Sequence, residues 1–447
     1  MIAPRSSLVL LLLFVAVPLA TITGLNRAPI VLSFIGVVLI IAAVDLALGL
    51  GRYRDLQFSL PETVCGIRGK RSELKVRAQF PGSRHDAVRL AVIFPDGLEA
   101  DKEQTIVPPG SSTSECLLLI PFVGTCRGAF LIESLYFDWN SRLGFWIYRD
   151  RRMVRCEVHI YPNLLLEGKQ IAHFLKRGAI GIHAQPQIGR GREFEKLREY
   201  ERGDGFDEIH WKATAKRRSP VTKVFQLERS KEVYLALDTS RLSARSLPET
   251  SALDSPHKTT THLDRAISTA LLFCAAAERQ GDRFGFISFS DKVDHLVKAR
   301  NGSSHFKVCR DLAISLTSQA VTPDFTEIAA TLKQRLKRRS LIVFLTSLDD
   351  PVVAEDFIGT AELLSRQHVV LAVMSAPPSM QPLFSEGAVQ SPDEIYLKLG
   401  GHLSWVKLQN LRRLLAQKGV QFHVVASQQL GLRLVSYYMD LKRRQVL

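Results

Sequence analysis

The sequence lacks the loops by which common enzyme classes announce themselves. No G-x-x-x-x-G-K-[ST] run occurs: before Gly69-Lys70, Val64 stands where the first glycine would, and Arg71 follows the lysine. A G-x-S-x-G elbow and an H-E-x-x-H helix are also missing, which removes the usual serine-hydrolase and zinc-protease signatures. The six cysteines (65, 116, 126, 156, 274 and 309) include no C-x-x-C pair. In a reducing compartment they read as small core residues rather than bridges or zinc ligands. After Leu50 no stretch is long and apolar enough to cross a membrane, and no low-complexity tract appears. Acid is scarce relative to base: 44 Asp and Glu against 59 Lys and Arg give a net charge of +15. Such a surplus suits nucleic acid, an anionic membrane surface or an acidic protein. Two basic runs stand out, Lys212 to Lys223 and "KQRLKRR" at 333–339. Neither carries a nucleic-acid module pattern, so nucleic acid is not expected as a partner and a solvated, leaflet-facing or partner-facing role is.

What the chain does have is length for several domains, 447 residues with 46% hydrophobic content. Ser6 to Gly24 is apolar and uncharged, and Ile30 to Leu50 is apolar except for Asp45. Each is near the ~20 residues that a helix needs to span the hydrocarbon core. The first alone resembles a cleaved signal peptide. The second, following after only "LNRAP", favours a transmembrane hairpin over 1–54. Arg5, Arg52 and Arg54 flank it and Arg27 sits at its tip, so the positive-inside bias places both ends in the cytoplasm. The expected location is the inner membrane, with the soluble domains facing the cytoplasm.

From 55 to 162 the hydrophobic period is two. Leu74, Val76, Ala78 and Phe80 alternate with Lys75, Arg77 and Gln79, and Cys116, Leu118, Ile120 and Phe122 alternate likewise. That pattern predicts a β-sandwich-like domain. A polar connector follows over 163–230. From 231 to 447, short continuous apolar runs such as "EVYLALD", "RFGFISFS" and "SLIVFLTS" alternate with helical segments. Runs of this kind suit parallel strands covered on both faces, a doubly wound α/β domain whose crevice lies at the strands' carboxyl ends. A helix opens with a Thr261-x-x-Asp264 capping pattern, and others are expected at 304–316, 326–339, 352–366, 403–418 and 428–445.

The strand end "LALDTSRLS" carries Asp238 and Ser240 two apart. It resembles the metal-ion-dependent adhesion site of von Willebrand factor A domains, where such a pair and a later threonine hold Mg²⁺ in an oxygen shell. Thr326 fits the threonine position. Leu242 and Ser347 replace the second serine and the later aspartate, so Mg²⁺ is at most a weak ligand of Asp238, Ser240 and Thr326. The competing role for Asp238 is to cap the loop beyond its strand.

The stretch "LREYERGDGFDEIHWKATAKRRSPVTKVFQLERSKEVYLALDTSR" resembles the signature of a bacterial membrane-protein family catalogued as domain of unknown function 58. Leu197, Arg198, Tyr200, Gly203, Asp204, Ile209, Trp211, Lys212, Thr214, Ala215, Glu228, Asp238 and Ser240 carry the likeness. The resemblance implies a von Willebrand factor A-like domain on a two-helix anchor. It also implies association with a MoxR-type AAA+ ATPase, and with other von Willebrand factor A domain proteins. It brings no catalytic residue and no cofactor. Two roles remain open for the signature: a network in which Tyr200 and Trp211 fix the connector against the α/β core, or a docking surface. The functional expectation is a membrane-anchored adaptor or scaffold in envelope-related complex assembly or maturation. The alternative is a cation-dependent hydrolase using the Asp238 crevice.

Overall fold

The computed structural model describes residues 2–5, 28–50, 56–79, 88–100, 105–107, 115–164, 168–172, 188–202, 205–226, 231–247, 260–377, 380–383 and 391–444. The apolar segment Ser6–Gly24, Phe80, the signature residues Gly203, Asp204 and Glu228, and most of the excursion at 241–260 lie outside them. The chain divides into two compact units, Met1–Pro162 and Asn163–Leu447.

The first unit is a pair of sheets. One contains β1 (Ile2–Pro4), β3 (Thr63–Ile67), β5 (Val88–Val92), β7 (Thr105–Val107), β9 (Gly128–Asn140) and β10 (Trp146–Tyr161), in the order β1-β10-β9-β5-β7, with β3 beside β10. The other contains β2 (Gln57–Ser59), β4 (Arg71–Gln79), β6 (Leu98–Ala100) and β8 (Glu115–Gly124), in the order β2-β4-β8-β6. Alternation supplies the core. Leu74, Val76 and Ala78 of β4 point inward with Leu118, Ile120 and Phe122 of β8, while Lys75, Arg77, Leu117 and Leu119 point out. They meet Cys156, Val158 and Ile160 of β10 in one hydrophobic cluster.

Helix α1 (Ala28–Gly49) joins this unit through its last turns. Trp146 donates from Nε1 to the Ala42 carbonyl at 2.8 Å, and the Tyr148 hydroxyl donates to the Leu46 carbonyl at 2.7 Å. Asp45, the one charge in the apolar run, is buried and accepts the Leu143 N–H at 3.0 Å. Val37, Ile40, Ile41, Val44 and Leu48 remain exposed. Apart from Ser33, side chains of α1 are described only from Gly36 on, and among the described residues no helix is long and apolar enough to cross a membrane.

The second unit opens with an antiparallel pair, β11 (Ile188–Glu199) and β12 (Val221–Gln226), bracketing the short helix α2 (Trp211–Arg217). Its main sheet has six strands in the order β17-β16-β13-β18-β19-β20: β13 (Glu232–Asp238), β16 (Arg283–Phe289), β17 (Val293–Arg300), β18 (Leu341–Leu345), β19 (Val369–Ser375) and β20 (Gln421–Val425). All neighbours are parallel except β17, which runs antiparallel at the edge. A two-stranded ribbon, β14 (Ser246–Leu247) and β15 (Thr260–Thr261), leads into α3 (His262–Arg279). The Thr261 and Asp264 side chains form the reciprocal capping box at the start of that helix.

The remaining helices are α4 (Ser303–Ser315), α5 (Phe325–Arg335), α6 (Pro351–Ser365), α7 (Pro392–Gln417) and α8 (Leu430–Arg443). Side chains of β13 explain its unbroken apolar run. Val233, Leu235 and Leu237 pack with α3 and α8, while Tyr234 and Ala236 pack with α5, α6 and α7 on the other face. Helix α7 begins eleven residues before the expected 403, because Ser391 caps it and Pro392 occupies its first turn. Helix α5 ends at Arg335 rather than 339.

The cysteines divide. Cys156, Cys274 and Cys309 are buried, but Cys65 and Cys126 are exposed rather than core residues, and all are free thiols.

Candidate functional site

Asp238 is the last residue of β13, and only 3% of it is exposed. One carboxylate oxygen accepts the Ser240 N–H at 2.8 Å and the other accepts the Thr346 hydroxyl at 2.5 Å. Burial pushes the carboxyl above the usual carboxylate range, while the hydrogen bonds from Ser240 and Thr346 oppose that shift. The loop after the strand is fixed by its neighbours. Ser243 donates to the Ser240 carbonyl at 2.7 Å, Arg241 N–H to Val321 at 2.9 Å and Gln319 N–H to Thr239 at 2.7 Å.

Around Asp238 the ends of β13, β18 and β19 and the first turn of α3 form a pocket whose polar lining includes Ser243, His262, Arg265, Ser347 and Ser375. Burial and the nearby Arg245 guanidinium lower the His262 pKa, against an opposing pull from Asp349. At the rim, Arg245 pairs with Asp349 at 2.5 Å and Arg241 approaches Asp350 at 3.9 Å. Asp350 also caps α6 by accepting the Val352 N–H at 3.0 Å.

These residues make a poor cradle for a divalent cation. The Thr326 hydroxyl donates to Asp356 at 3.2 Å, and Thr326 is exposed, so the expected trio of Asp238, Ser240 and Thr326 is not brought together by any described contact. Leu242 is buried where a second hydroxyl would be needed, and the nearby acids Asp349 and Asp350 already face arginines. Among the described residues no group of three or more His, Cys, Asp or Glu side chains could hold a metal. The Ser240 hydroxyl is buried beside the Asp238 carboxylate, a single oxygen rather than a shell.

Nucleophilic chemistry finds little support either. Ser288 meets His295 at 3.0 Å and Ser340 meets His368 at 3.0 Å. No described carboxylate orients either imidazole, and neither pair lines the pocket.

The connector signature separates into two faces. Its inner face is structural: His210 accepts the Ala213 N–H on Nδ1 at 3.0 Å, capping α2, and Thr214 accepts the Val221 N–H at 3.1 Å. Ile209, Val221 and Thr222 are buried, and His210 N–H reaches the Val221 carbonyl at 2.8 Å. Arg218 closes the helix in a left-handed conformation, φ 56°, and donates its N–H to Thr214. Arg198 pairs with Glu201 at 3.0 Å.

The outer face overturns the anchoring role expected for Trp211. That side chain is 68% exposed, because the buried register of the connector falls on Ile209 and Val221 instead. Phe206, which the sequence pattern did not single out, is 74% exposed and lies against Tyr200, ring centroids 6.4 Å apart. Its position within "GDGFDE", flanked by glycine and acids, was the available hint that no core awaited it. Lys212, Lys216, Arg217 and Arg218 are exposed beside Trp211.

Residues 196–395 match the family model "Protein of unknown function DUF58". Residues 196–395 are a DUF58 region. The matched stretch takes in most of the connector hairpin and the whole Asp238 pocket except Leu430. No curated protein matches this chain. Among solved structures, the conserved hypothetical protein BatB from Bacteroides thetaiotaomicron is 12% identical, with a TM-score of 0.29 over 48% of this chain and 100% of that one. An aerotolerance-related membrane protein from Bacteroides fragilis is 16% identical, with a TM-score of 0.28 over 46% and 96%. The PilB minor pilin from Streptococcus sanguinis is 8% identical, with a TM-score of 0.32 over 80% and 87%. Likeness this low establishes no shared activity.

Proposed function

We propose that this protein is a membrane-anchored, non-enzymatic adaptor that works with a MoxR-type AAA+ ATPase in assembling or maturing envelope-related complexes. The observation that carries the non-enzymatic half is the state of Asp238: buried, with both carboxylate oxygens held by donors of its own fold, Ser240 N–H and the Thr346 hydroxyl. Crevices at the carboxyl ends of parallel strands are where such sheets bind ligands, and in this reading the ligand is a partner's side chain. The ATPase partner follows from the family resemblance of the signature.

The anchor is supported by the apolar, outward side of α1. Pro4 of β1 pairs with Trp146, the residue that also binds Ala42 of α1. Pairing of the body with both Pro4 and Ala42 supports a segment between them that crosses an even number of times. By the positive-inside bias of Arg5, Arg52 and Arg54 in the sequence, we read the body as facing the cytoplasm.

Capture of a purified MoxR-type ATPase by the full chain in detergent tests the adaptor reading, which is abandoned if no complex forms with the ATPase in either nucleotide state. The hydrolase reading gains if the purified chain turns over an ester or phosphoester and Asp238→Asn abolishes that turnover while leaving capture intact.

A further inference from the structure

We infer that the outer face of the connector, with Phe206, Trp211, Lys212, Lys216, Arg217 and Arg218, is a membrane-contacting surface selective for anionic lipid. Two large side chains stand more than two-thirds exposed within five residues of each other, Phe206 at 74% and Trp211 at 68%. A connector that needed them for its own packing would bury them. The hairpin instead buries Ile209, Val221 and Thr222 and caps α2 through His210, leaving the aromatics outward on a fixed frame.

Helical spacing arranges the neighbours. Trp211 and Ala215 share one side of α2, Lys212 and Lys216 lie adjacent, and Arg218 follows as its left-handed cap. Among the described residues none of the four cations has a carboxylate partner, so their charge is available. Acids do occur nearby: Asp207 and Glu208 share the turn of Phe206, and Glu201 is engaged by Arg198.

An amphipathic ring set among cations is the composition of a headgroup-level contact. Tryptophan sits where apolar body and polar edge are both satisfied, and lysine and arginine are attracted by anionic headgroups within a Debye length. A chain of net charge +15 is drawn to such a surface as a whole.

The inference goes beyond the adaptor reading and shares with it only the presence of a bilayer. It is tested on the full chain in nanodiscs of phosphatidylcholine alone, or of phosphatidylcholine mixed with phosphatidylglycerol, each carrying acyl chains brominated near the headgroup. Trp211→Phe subtracts the other tryptophans, and because Trp211 is exposed the variant keeps its fold. In mixed discs the Trp211 emission is quenched, and the double variant R217A/R218A weakens that quenching about tenfold, as does raised salt. Emission from Trp211 that is unquenched in both discs overturns the inference and turns the face toward a protein partner. Equal quenching in both discs overturns its anionic selectivity. Resistance of the full chain to carbonate extraction reads the anchor separately, so failure of the anchor and failure of this surface are told apart.

Discussion

The Asp238 pocket and the connector signature are both dense in polar residues, yet they solve opposite problems. In the pocket the polar groups are buried, and a charge removed from water must be answered by donors: Ser240 N–H and Thr346 supply them, and Arg245 answers Asp349 at the rim. In the connector the charges stay in water, while two aromatics that ordinarily go inside stay out with them. The lesson is that polarity along a sequence does not distinguish a sealed network from a presented surface. Burial distinguishes them, and burial is decided by which few residues claim the interior.

That contrast breaks most easily from beneath the pocket. Phe344 is fully buried in β18 against Phe289 and Phe357, two residues before Thr346. Phe344→Ala lowers stability by about 3–5 kcal/mol in urea denaturation, through lost transfer energy and the cavity left behind.

The next effect is one of pH. Because burial raises the Asp238 pKa in the folded state above its unfolded value near 4, the folded chain holds that proton more tightly. The stability Asp238 contributes is fully present below the unfolded pKa and is lost as pH rises through the folded one. Asp238→Asn removes that titration. The stability of wild type relative to Asp238→Asn therefore falls as pH is raised above about 4, and a difference independent of pH would show that the carboxyl is not desolvated.

In the connector, Thr214→Ala strips the acceptor from the Val221 N–H and costs about 1–2 kcal/mol. Trp211→Ala, three residues away, costs less than about 0.5 kcal/mol because the ring is solvated. Thermal melts of the two variants side by side sharpen the division between inner and outer faces. A large loss at Trp211 would return it to the interior.

Much of the fold was legible where one periodic signal decided the outcome. The alternation of Leu74, Val76 and Ala78 with charged neighbours permits one buried face and no other, and Thr261 with Asp264 marks a helix start through hydrogen bonds spanning four residues. Asp238 at a strand end was also visible, together with its bond to the residue two further on. Local chemistry of this reach is written in local sequence.

The rest depended on distant partners. Thr346, more than a hundred residues from Asp238, supplies its second donor, and Asp356 takes the Thr326 hydroxyl that the sequence pattern assigned to a cation. Trp211 and Ile209 are both apolar and two residues apart, so composition alone favours the larger ring for the core. The bridge of Ile209 to Thr222 in β12 reverses that choice. The sequence by itself determined the periods, the caps and the strand-end aspartate, because those rest on interactions within a few residues. Only the tertiary structure decided which polar groups are sealed and which aromatics face outward, because desolvation is set by whatever chain happens to pack alongside.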